Sequence, residues 1–230
     1  MICAAIVAGG NGSRMGADLP KQFLEISGKP VIIHTVLCFL GKVDKICIAC
    51  HGDYVDYMKK SLEKHGILDA DVIPGGADRM ESVSRIAEHF LSGGAWEQDI
   101  ILTHDGVRPF VSDKMINDSI ENARTGHFCT VAINSTDTVC ISADGENIDC
   151  VPERRGVFNI QTPQTFTLGK LAEMLGKCET PGGYTDLCGL ALAMGEKVKI
   201  VEGSPENIKI TVPADLAVAE KILERKYENR

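Results

Sequence analysis

The sequence lacks the features that would place it on a nucleic acid or in a membrane. Positive charge is in deficit, because 24 lysines and arginines face 32 aspartates and glutamates, for a formal net charge of −8. A general nucleic-acid-binding surface is therefore not expected, and any positive field must come from a few placed basic residues. No apolar run is long enough for a membrane span, and Met1 opens a strand-like segment rather than a signal peptide. We expect a cytoplasmic protein without nucleic-acid or membrane partners.

A disulfide framework is also missing, although the chain has nine cysteines. Cys3, Cys129 and Cys140 lie in apolar, strand-like runs, and Cys47 and Cys50 form a C-x-x-C spacing. In a strand, residues three apart point to opposite faces and cannot share a metal. We interpret this pair as small buried hydrophobic residues; a redox or metal role is the alternative.

The third absence is a Walker A motif, since no Gly-Lys-Ser/Thr follows the glycines of residues 8–21, AGGNGSRMGADLPK. A dinucleotide-binding G-x-G-x-x-G pattern fits this loop only poorly. The loop nevertheless follows the apolar run 2–7, and its glycines allow backbone N–H groups to approach an anion closely. Arg14 and Lys21 add positive charge. The pattern predicts a polyphosphate-binding loop; the alternative is a loop that only turns the chain.

Strand-like and helix-like segments alternate along the 230 residues. The predicted strands are 2–7, 44–50, 70–73, 99–104, 129–133, 197–201 and 208–211, and the predicted helices are 30–40, 55–65, 79–90, 114–124 and 214–227. This order predicts one α/β domain over residues 1–230, Rossmann-like and doubly wound around a mostly parallel sheet. Ligands bind such sheets at the carboxyl ends of the strands, so the loops after Val7 and His104 are expected to share one crevice.

Residues 135–158 interrupt the alternation with short β-like pieces on either side of Asp144-Gly145, a hairpin signal. A hairpin that leaves the core needs a partner to cover it. We therefore predict a protruding β-hairpin arm that makes a homodimer.

Polar residues after predicted strands supply candidates for chemistry. Asp105 ends a strand and could bind Mg²⁺, while Arg108 could hold a phosphate of a second substrate; an Asp–Arg surface pair is the alternative. His104 is expected to be a packed residue rather than a base. Lys209 lies in an otherwise apolar segment, which is costly unless its ammonium group meets an anion or water.

Two further segments are weaker candidates. Gly76 and Ser82 flank the start of a predicted helix, where N–H groups could meet a base or phosphate; Asp78 could equally be no more than the helix cap. Arg154, at the base of the arm, could reach across a dimer into the partner's active site, or could be solvated.

Together these segments resemble one family, the cytidylyltransferases that make CDP-alcohols from CTP and a polyol phosphate. The resemblance is carried, in the family's order, by AGGNGSRMG, LPKQFL, GGADRMESV, THDGVRPF, STDTV, QTPQTF, YTD and ENIKIT. It implies a Rossmann-like domain with a dimerising β-arm, a divalent cation such as Mg²⁺, and the two substrates as partners.

The resemblance also implies roles by position. CTP would be bound by Ala8, Gly9, Gly10, Asn11, Gly12, Gly76 and Ser82. Catalysis would be carried by Arg14, Lys21 and Lys209. The acceptor would be bound by Asp105, Arg108, Thr138, Arg154, Thr185 and Lys209, with Asp105 near the metal. A phosphate nucleophile is already ionised at neutral pH, so the enzyme's task would be positioning and charge neutralisation.

Two acceptors compete. Residues 50–54 (CHGDY), Val107 and residues 185–188 (TDLC) resemble the type that uses D-ribitol 5-phosphate for teichoic acid or capsule, and no lysine follows Asp137-Thr138-Val139. Gly106 and residues 155–158 (RGVF) resemble the type that uses 2-C-methyl-D-erythritol 4-phosphate for isoprenoid precursors. On balance we expect ribitol phosphate, with methylerythritol phosphate as the alternative.

Other classes fit less well. A nicotinamide-dependent oxidoreductase needs an acidic residue at the end of its second strand, where this chain has Cys50 and His51. A catalytically inactive binding protein is disfavoured by the presence of the candidate catalytic side chains.

Overall fold

A computed structural model describes residues 1–10, 19–178, 184 and 186–228. The strands are β1 (Ile2–Ala8), β2 (Glu25–Ile26), β3 (Lys29–Pro30), β4 (Lys45–Cys50), β5 (Ala70–Pro74), β6 (Ile100–Asp105), β7 (Phe128–Asn134), β8 (Phe158–Thr167) and β9 (Val198–Glu202). The helices are α1 (Val31–Leu37), α2 (Val55–Lys64), α3 (Arg79–Ser92), α4 (Asp113–Arg124), α5 (Leu168–Gly176), α6 (Leu187–Ala193) and α7 (Pro213–Glu228).

Seven strands form the central sheet in the order β5-β4-β1-β6-β8-β7-β9. Pairing is parallel except around β8, which runs antiparallel to both β6 and β7. The expected mostly parallel, Rossmann-like α/β fold is confirmed. The central strands are continuous apolar runs because helices cover both faces of such a sheet.

Two hydrophobic clusters lie on the two faces of the sheet. One joins the strands to α1, α2 and α4 through Ile6, Ile48, Leu102, Ile33, Leu62 and Ile116. The other joins them to α3, α5 and α6 through Ala5, Cys47, Ile101, Val83, Leu171 and Leu190. A third cluster packs α7 against the β2–β3 hairpin and the segment after β6. No helix in the described part of the chain is both long and apolar enough to cross a bilayer.

The sequence predicted no strand at β8, and it predicted a strand over 208–211 that the structure does not have. β8 contains Pro163 and a run of polar residues, which argue against a central strand, yet residues 161–166 are all buried. Some of their polar groups find partners inside the sheet: Thr103 Oγ1 donates to the Gln164 carbonyl at 3.1 Å, and Thr162 Oγ1 lies 2.9 Å from His104 Nδ1. In 208–211, the Ile210 N–H donates to the Val107 carbonyl, so this segment is anchored without joining a strand ladder.

The cysteines are all free. Cys47 and Cys50 are fully buried in β4, and burial raises the pKa of the Cys47 thiol to about 12. The described residues include no group of three or more His, Cys, Asp or Glu arranged to hold a metal. The prediction that both cysteines are buried is confirmed. Cys140 differs from expectation because it is exposed in the arm.

The predicted hairpin at 135–158 is present as a short, exposed excursion. Its two limbs meet at the pair Ile141–Cys150, and Gly145 takes a positive φ of 77° in the turn. Residues 136–151 are all exposed, with apolar side chains at Val139, Ile141, Ile148 and Val151. Dimerisation through this arm stays a prediction.

Candidate active site

The glycine loop begins at the carboxyl end of β1, near the middle of the sheet. Ala8, Gly9 and Gly10 line a cavity of about 260 Å³, which we call the first cavity. Its other walls come from the carboxyl ends of neighbouring strands and from the start of α3. The predictions for Asn11, Gly12 and Arg14 lie outside the described residues.

Lys21 and Gln22 return the chain to this cavity after the loop. Pro20 precedes a short 3-10 turn, Lys21–Phe23, and fixes the entry of the backbone. Gln22 is 1% exposed, and its Nε2 donates to the Ala8 carbonyl at 2.7 Å. Because this bond ties the far side of the loop to the end of β1, it places Lys21 on the wall of the first cavity.

The start of α3 forms the opposite wall. Asp78 caps the helix, and its Oδ1 accepts from the Glu81 N–H at 2.8 Å. Ser82 Oγ accepts from the Gly76 N–H at 3.0 Å and donates to the Asp78 carbonyl at 2.8 Å. A Cβ on Gly76 would stand only 2.4 Å from the Glu81 side chain, so this turn requires glycine. The structure thus brings Gly76 and Ser82 to the first cavity; their contact with a base stays a prediction.

Asp105, the last residue of β6, lies among three cations. Its Oδ2 is 3.0 Å from Lys209 Nζ and 3.2 Å from Arg108 Nε, and its Oδ1 is 3.5 Å from Arg79 Nε. Burial disfavours the ionised carboxylate, but the three cations outweigh burial and hold the pKa of Asp105 well below its usual range. The carboxylate therefore stays charged at any physiological pH and anchors the cations at the sheet edge.

A second cavity, of about 490 Å³, adjoins the first. The two share Arg79, Asp105 and Lys209. The remaining wall is largely polar and comes from β8 and the segments facing it, with Arg108, Phe158, Asn159, Ile160, Gln161, Thr162, Gln164 and Asp186. The predicted residues Asp105, Arg108 and Lys209 are thus brought together where the two cavities meet.

His104 is fully buried behind this group, as expected for a packed residue. Its Nε2 lies 3.0 Å from the Arg108 carbonyl, which can only accept, so Nε2 carries the proton and Nδ1 accepts from Thr162 Oγ1 at 2.9 Å. Burial lowers the pKa of His104 to about 4. Thr162 Oγ1 also accepts from the Asp105 N–H at 3.2 Å. Neutral His104 therefore fixes the Thr162 hydroxyl rather than acting as a base.

Two of the remaining acceptor predictions, Thr138 and Arg154, lie away from the two cavities. Thr138 and Arg154 contact each other in the arm, where Arg154 Nη2 donates to Thr138 Oγ1 at 2.8 Å. Within this protomer neither lines the described cavities. Thr185 lies outside the described residues, although its neighbour Asp186 lines the second cavity.

The described residues fit a divalent cation that is bound together with substrate phosphates. Asp105 is the carboxylate at the junction, and both its oxygens face cations, so an all-protein cage is not formed. Mg²⁺ commonly keeps several waters and binds substrate phosphates with one or two carboxylates. A cation carried by substrate phosphates, with Asp105 in reach, is compatible with this site.

Several side chains that line the cavities had no predicted role, among them Gln22, Arg79, Thr162 and Gln164. All four belong to segments that also carry the resemblance, LPKQFL, GGADRMESV and QTPQTF. Their polarity inside runs that fold into the core was the available signal, since a buried polar side chain needs a partner.

The site combines three features: glycines directly after β1, a cluster of cations at the end of the neighbouring strand β6, and two adjoining cavities. These are features of a nucleotidyltransferase site. A model of the family IspD, 2-C-methyl-D-erythritol 4-phosphate cytidylyltransferase, matches residues 2–225. The chain belongs to this family.

Solved structures that are similar to this chain carry names of the same family. One, described as 4-diphosphocytidyl-2C-methyl-D-erythritol synthase from Anaerococcus prevotii DSM 20548, is 31% identical with a TM-score of 0.82, over 97% of this chain and 96% of that one. The Francisella tularensis 2-C-methyl-D-erythritol 4-phosphate cytidylyltransferase is 26% identical with a TM-score of 0.79, over 95% and 98%. The Thermus thermophilus enzyme of the same name is 26% identical with a TM-score of 0.75, over 97% and 100%.

These comparisons support the alternative acceptor and give no support to the expected ribitol phosphate. The residues behind that expectation lie mostly away from the second cavity. Cys50 ends β4 and is buried, Tyr54 packs against Phe23, and Val107 lines the first cavity. Asp186, from residues 185–188, does line the second cavity.

Proposed function

We propose that this protein transfers CMP from CTP to 2-C-methyl-D-erythritol 4-phosphate and releases pyrophosphate. The observation that carries the proposal is the junction of the two cavities at Arg79, Asp105 and Lys209. A transfer between two phosphates needs two binding spaces that meet at a positively charged point.

CTP would occupy the first cavity. Its triphosphate would lie against the N–H groups of Gly9 and Gly10 and the ammonium group of Lys21. The base would lie toward the α3 start, near Gly76 and Ser82. These assignments follow from the positions of Ala8, Gly9, Gly10 and Lys21 on the cavity wall.

The acceptor would occupy the second cavity, with its phosphate toward Arg108 and Lys209 and its hydroxyls toward the polar wall of β8. An oxygen of this phosphate attacks the α-phosphorus of CTP. The new P–O bond forms as the bond to the β-phosphate oxygen breaks, and pyrophosphate leaves with that electron pair. No proton needs to be removed from the nucleophile, in keeping with a buried, neutral His104.

The cations lower the barrier by neutralising charge that builds up between the two phosphates. Lys21 would act on the nucleotide and Lys209 at the junction of the cavities, and Arg14 would add the positive charge that the sequence predicts for it. A divalent cation bound with the nucleotide would add charge neutralisation, with Asp105 as the candidate protein ligand. These roles remain proposals for this chain.

We further propose a homodimer made by the arm at 135–158. Its exposed apolar side chains would be covered by a partner, and the Arg154–Thr138 pair would reach the partner's acceptor cavity. Phe158, the last residue of the arm, and the adjoining Asn159 and Ile160 line the second cavity, so the arm leaves the domain beside the proposed acceptor site.

The test is pyrophosphate release with CTP, Mg²⁺ and one polyol phosphate at a time. We expect release with 2-C-methyl-D-erythritol 4-phosphate. Release only with D-ribitol 5-phosphate would replace the acceptor and keep the reaction, whereas no release with either would contradict the reaction itself.

A further inference from the structure

Arg79 is the first residue of α3, directly after its cap Asp78. Its side chain lines both cavities, like Asp105 and Lys209. The sequence pattern predicted no role for it, because it sits inside a segment whose glycines and cap already explain the turn.

The hydrogen-bonding groups of Arg79 are poorly satisfied. Its Nη1 is buried without a hydrogen-bond partner among the described atoms. Its contact with Asp105, at 3.5 Å, is the longest of the three cation contacts to that carboxylate. Arg108, by comparison, also donates from Nη1 to the Asn207 carbonyl at 2.8 Å. Leaving a buried N–H unpaired is unfavourable, so the Arg79 guanidinium is suited to a ligand that the free protein lacks.

Charge leads to the same conclusion. Arg79, Arg108 and Lys209 share the Asp105 carboxylate, which leaves two positive charges in excess among these four side chains. Arg79 also begins a 14-residue helix, and the N-terminal end of a helix disfavours a cation. A bound anion would relieve both effects.

We propose that Arg79 is a catalytic residue that bridges the two phosphates at the junction. It donates to the attacking phosphate of the acceptor from one side and to the α-phosphate of the nucleotide from the other. This rests on the proposed function. The planar guanidinium presents several N–H groups in a fixed fork, which suits phosphate oxygens better than the point charge of a lysine. When the phosphates bind, the contact between Arg79 and Asp105 breaks and Arg79 contacts the phosphates instead. Its charge then reduces the repulsion between the acceptor phosphate and the α-phosphate, which must come within bonding distance.

The test compares Arg79→Ala and Arg79→Lys with Arg124→Ala, a control at the exposed end of α4 whose partner is Glu121. Asp105 keeps Arg108 and Lys209 in every variant, so we expect all three to fold. For Arg79→Ala we expect kcat to fall by about 100-fold or more, as for loss of one preorganised donor to a transition state. Arg79→Lys should recover only part of this loss, and added guanidinium ion should partly rescue Arg79→Ala.

A binding measurement separates this proposal from the proposed function. Titration of inorganic pyrophosphate into each protein should show weaker binding for Arg79→Ala than for wild type and Arg124→Ala, whether or not wild type turns over. A wild type without turnover but with Arg79-dependent pyrophosphate binding would contradict the reaction and keep the anion site. An Arg79→Ala variant with wild-type kcat and pyrophosphate affinity, or an Arg79→Lys variant equal to wild type in both, would overturn the role given to Arg79.

Discussion

Replacing Asp105 with asparagine should destabilise the protein strongly, because it removes the carboxylate that Arg79, Arg108 and Lys209 contact. The Asp105 and Arg108 side chains are 10% and 11% exposed, so water compensates them poorly once the charge is gone. Removing one partner of a buried ion pair costs about 3–5 kcal/mol. Since the Lys209 side chain is 43% exposed and better solvated, we take the lower end, about 3 kcal/mol. For a chain of this size that corresponds to a fall in Tm of about 6–12 °C.

The assay is thermal and denaturant unfolding of Asp105→Asn and wild type in buffer without phosphate or sulfate. Asp118→Asn is the matched control, because its partner Lys114 is exposed on the same helix and such pairs contribute about 0.5 kcal/mol or less. Adding pyrophosphate should stabilise Asp105→Asn more than wild type, since the anion would replace the lost charge. An Asp105→Asn protein as stable as wild type would refute the view that this carboxylate balances the cations of the site.

Three further predictions concern catalysis, pH and assembly. Lys21→Ala should lose pyrophosphate release and still fold, because Lys21 is proposed to act on the triphosphate; an undiminished rate would remove it from the catalytic set. Burial lowers the pKa of His104 to about 4 in the folded state, against about 6.5 when the chain is unfolded. Neutral His104 therefore contributes about 3 kcal/mol to the free energy of unfolding. This contribution is fully present above pH 6.5 and is lost as the pH falls from 6.5 through about 4. Unfolding free energies across this range should show the loss, and an equal pH dependence in His104→Gln would exclude His104 as its source. Light scattering should give a dimer for wild type and a monomer with impaired turnover after the arm's apolar residues Ile141, Ile148 and Val151 are changed to serine; a fully active monomer would contradict a cross-subunit role for Arg154.

Much of the sheet could be predicted because its strands are buried on both faces. β1 and β4 are continuous apolar runs, and helix caps such as Asp78 and Ser112 stand where the sequence pattern predicted helix starts. β8 could not be predicted in this way. Several of its buried polar residues have partners distant in sequence, such as Ser204, whose carbonyl accepts from Gln161 Nε2 at 2.8 Å.

The candidate site was predictable where a residue type is unusual for its surroundings. Asp105 at a strand end and Lys209 in an apolar segment both stood out, and the structure joins them at 3.0 Å. Arg79 did not stand out, since an arginine near a helix start is ordinary in sequence. Only the fold shows that Arg79 lines both cavities and that its guanidinium group has a buried N–H group without a partner.

The most direct test of the proposed reaction is ³¹P NMR of the purified protein with CTP, Mg²⁺ and 2-C-methyl-D-erythritol 4-phosphate. We predict that the signals of CTP and the phosphate monoester decline together while those of a diphosphate diester and pyrophosphate appear in equal amounts. Release of inorganic phosphate without a new diphosphate diester, or unchanged substrate signals, would contradict the account.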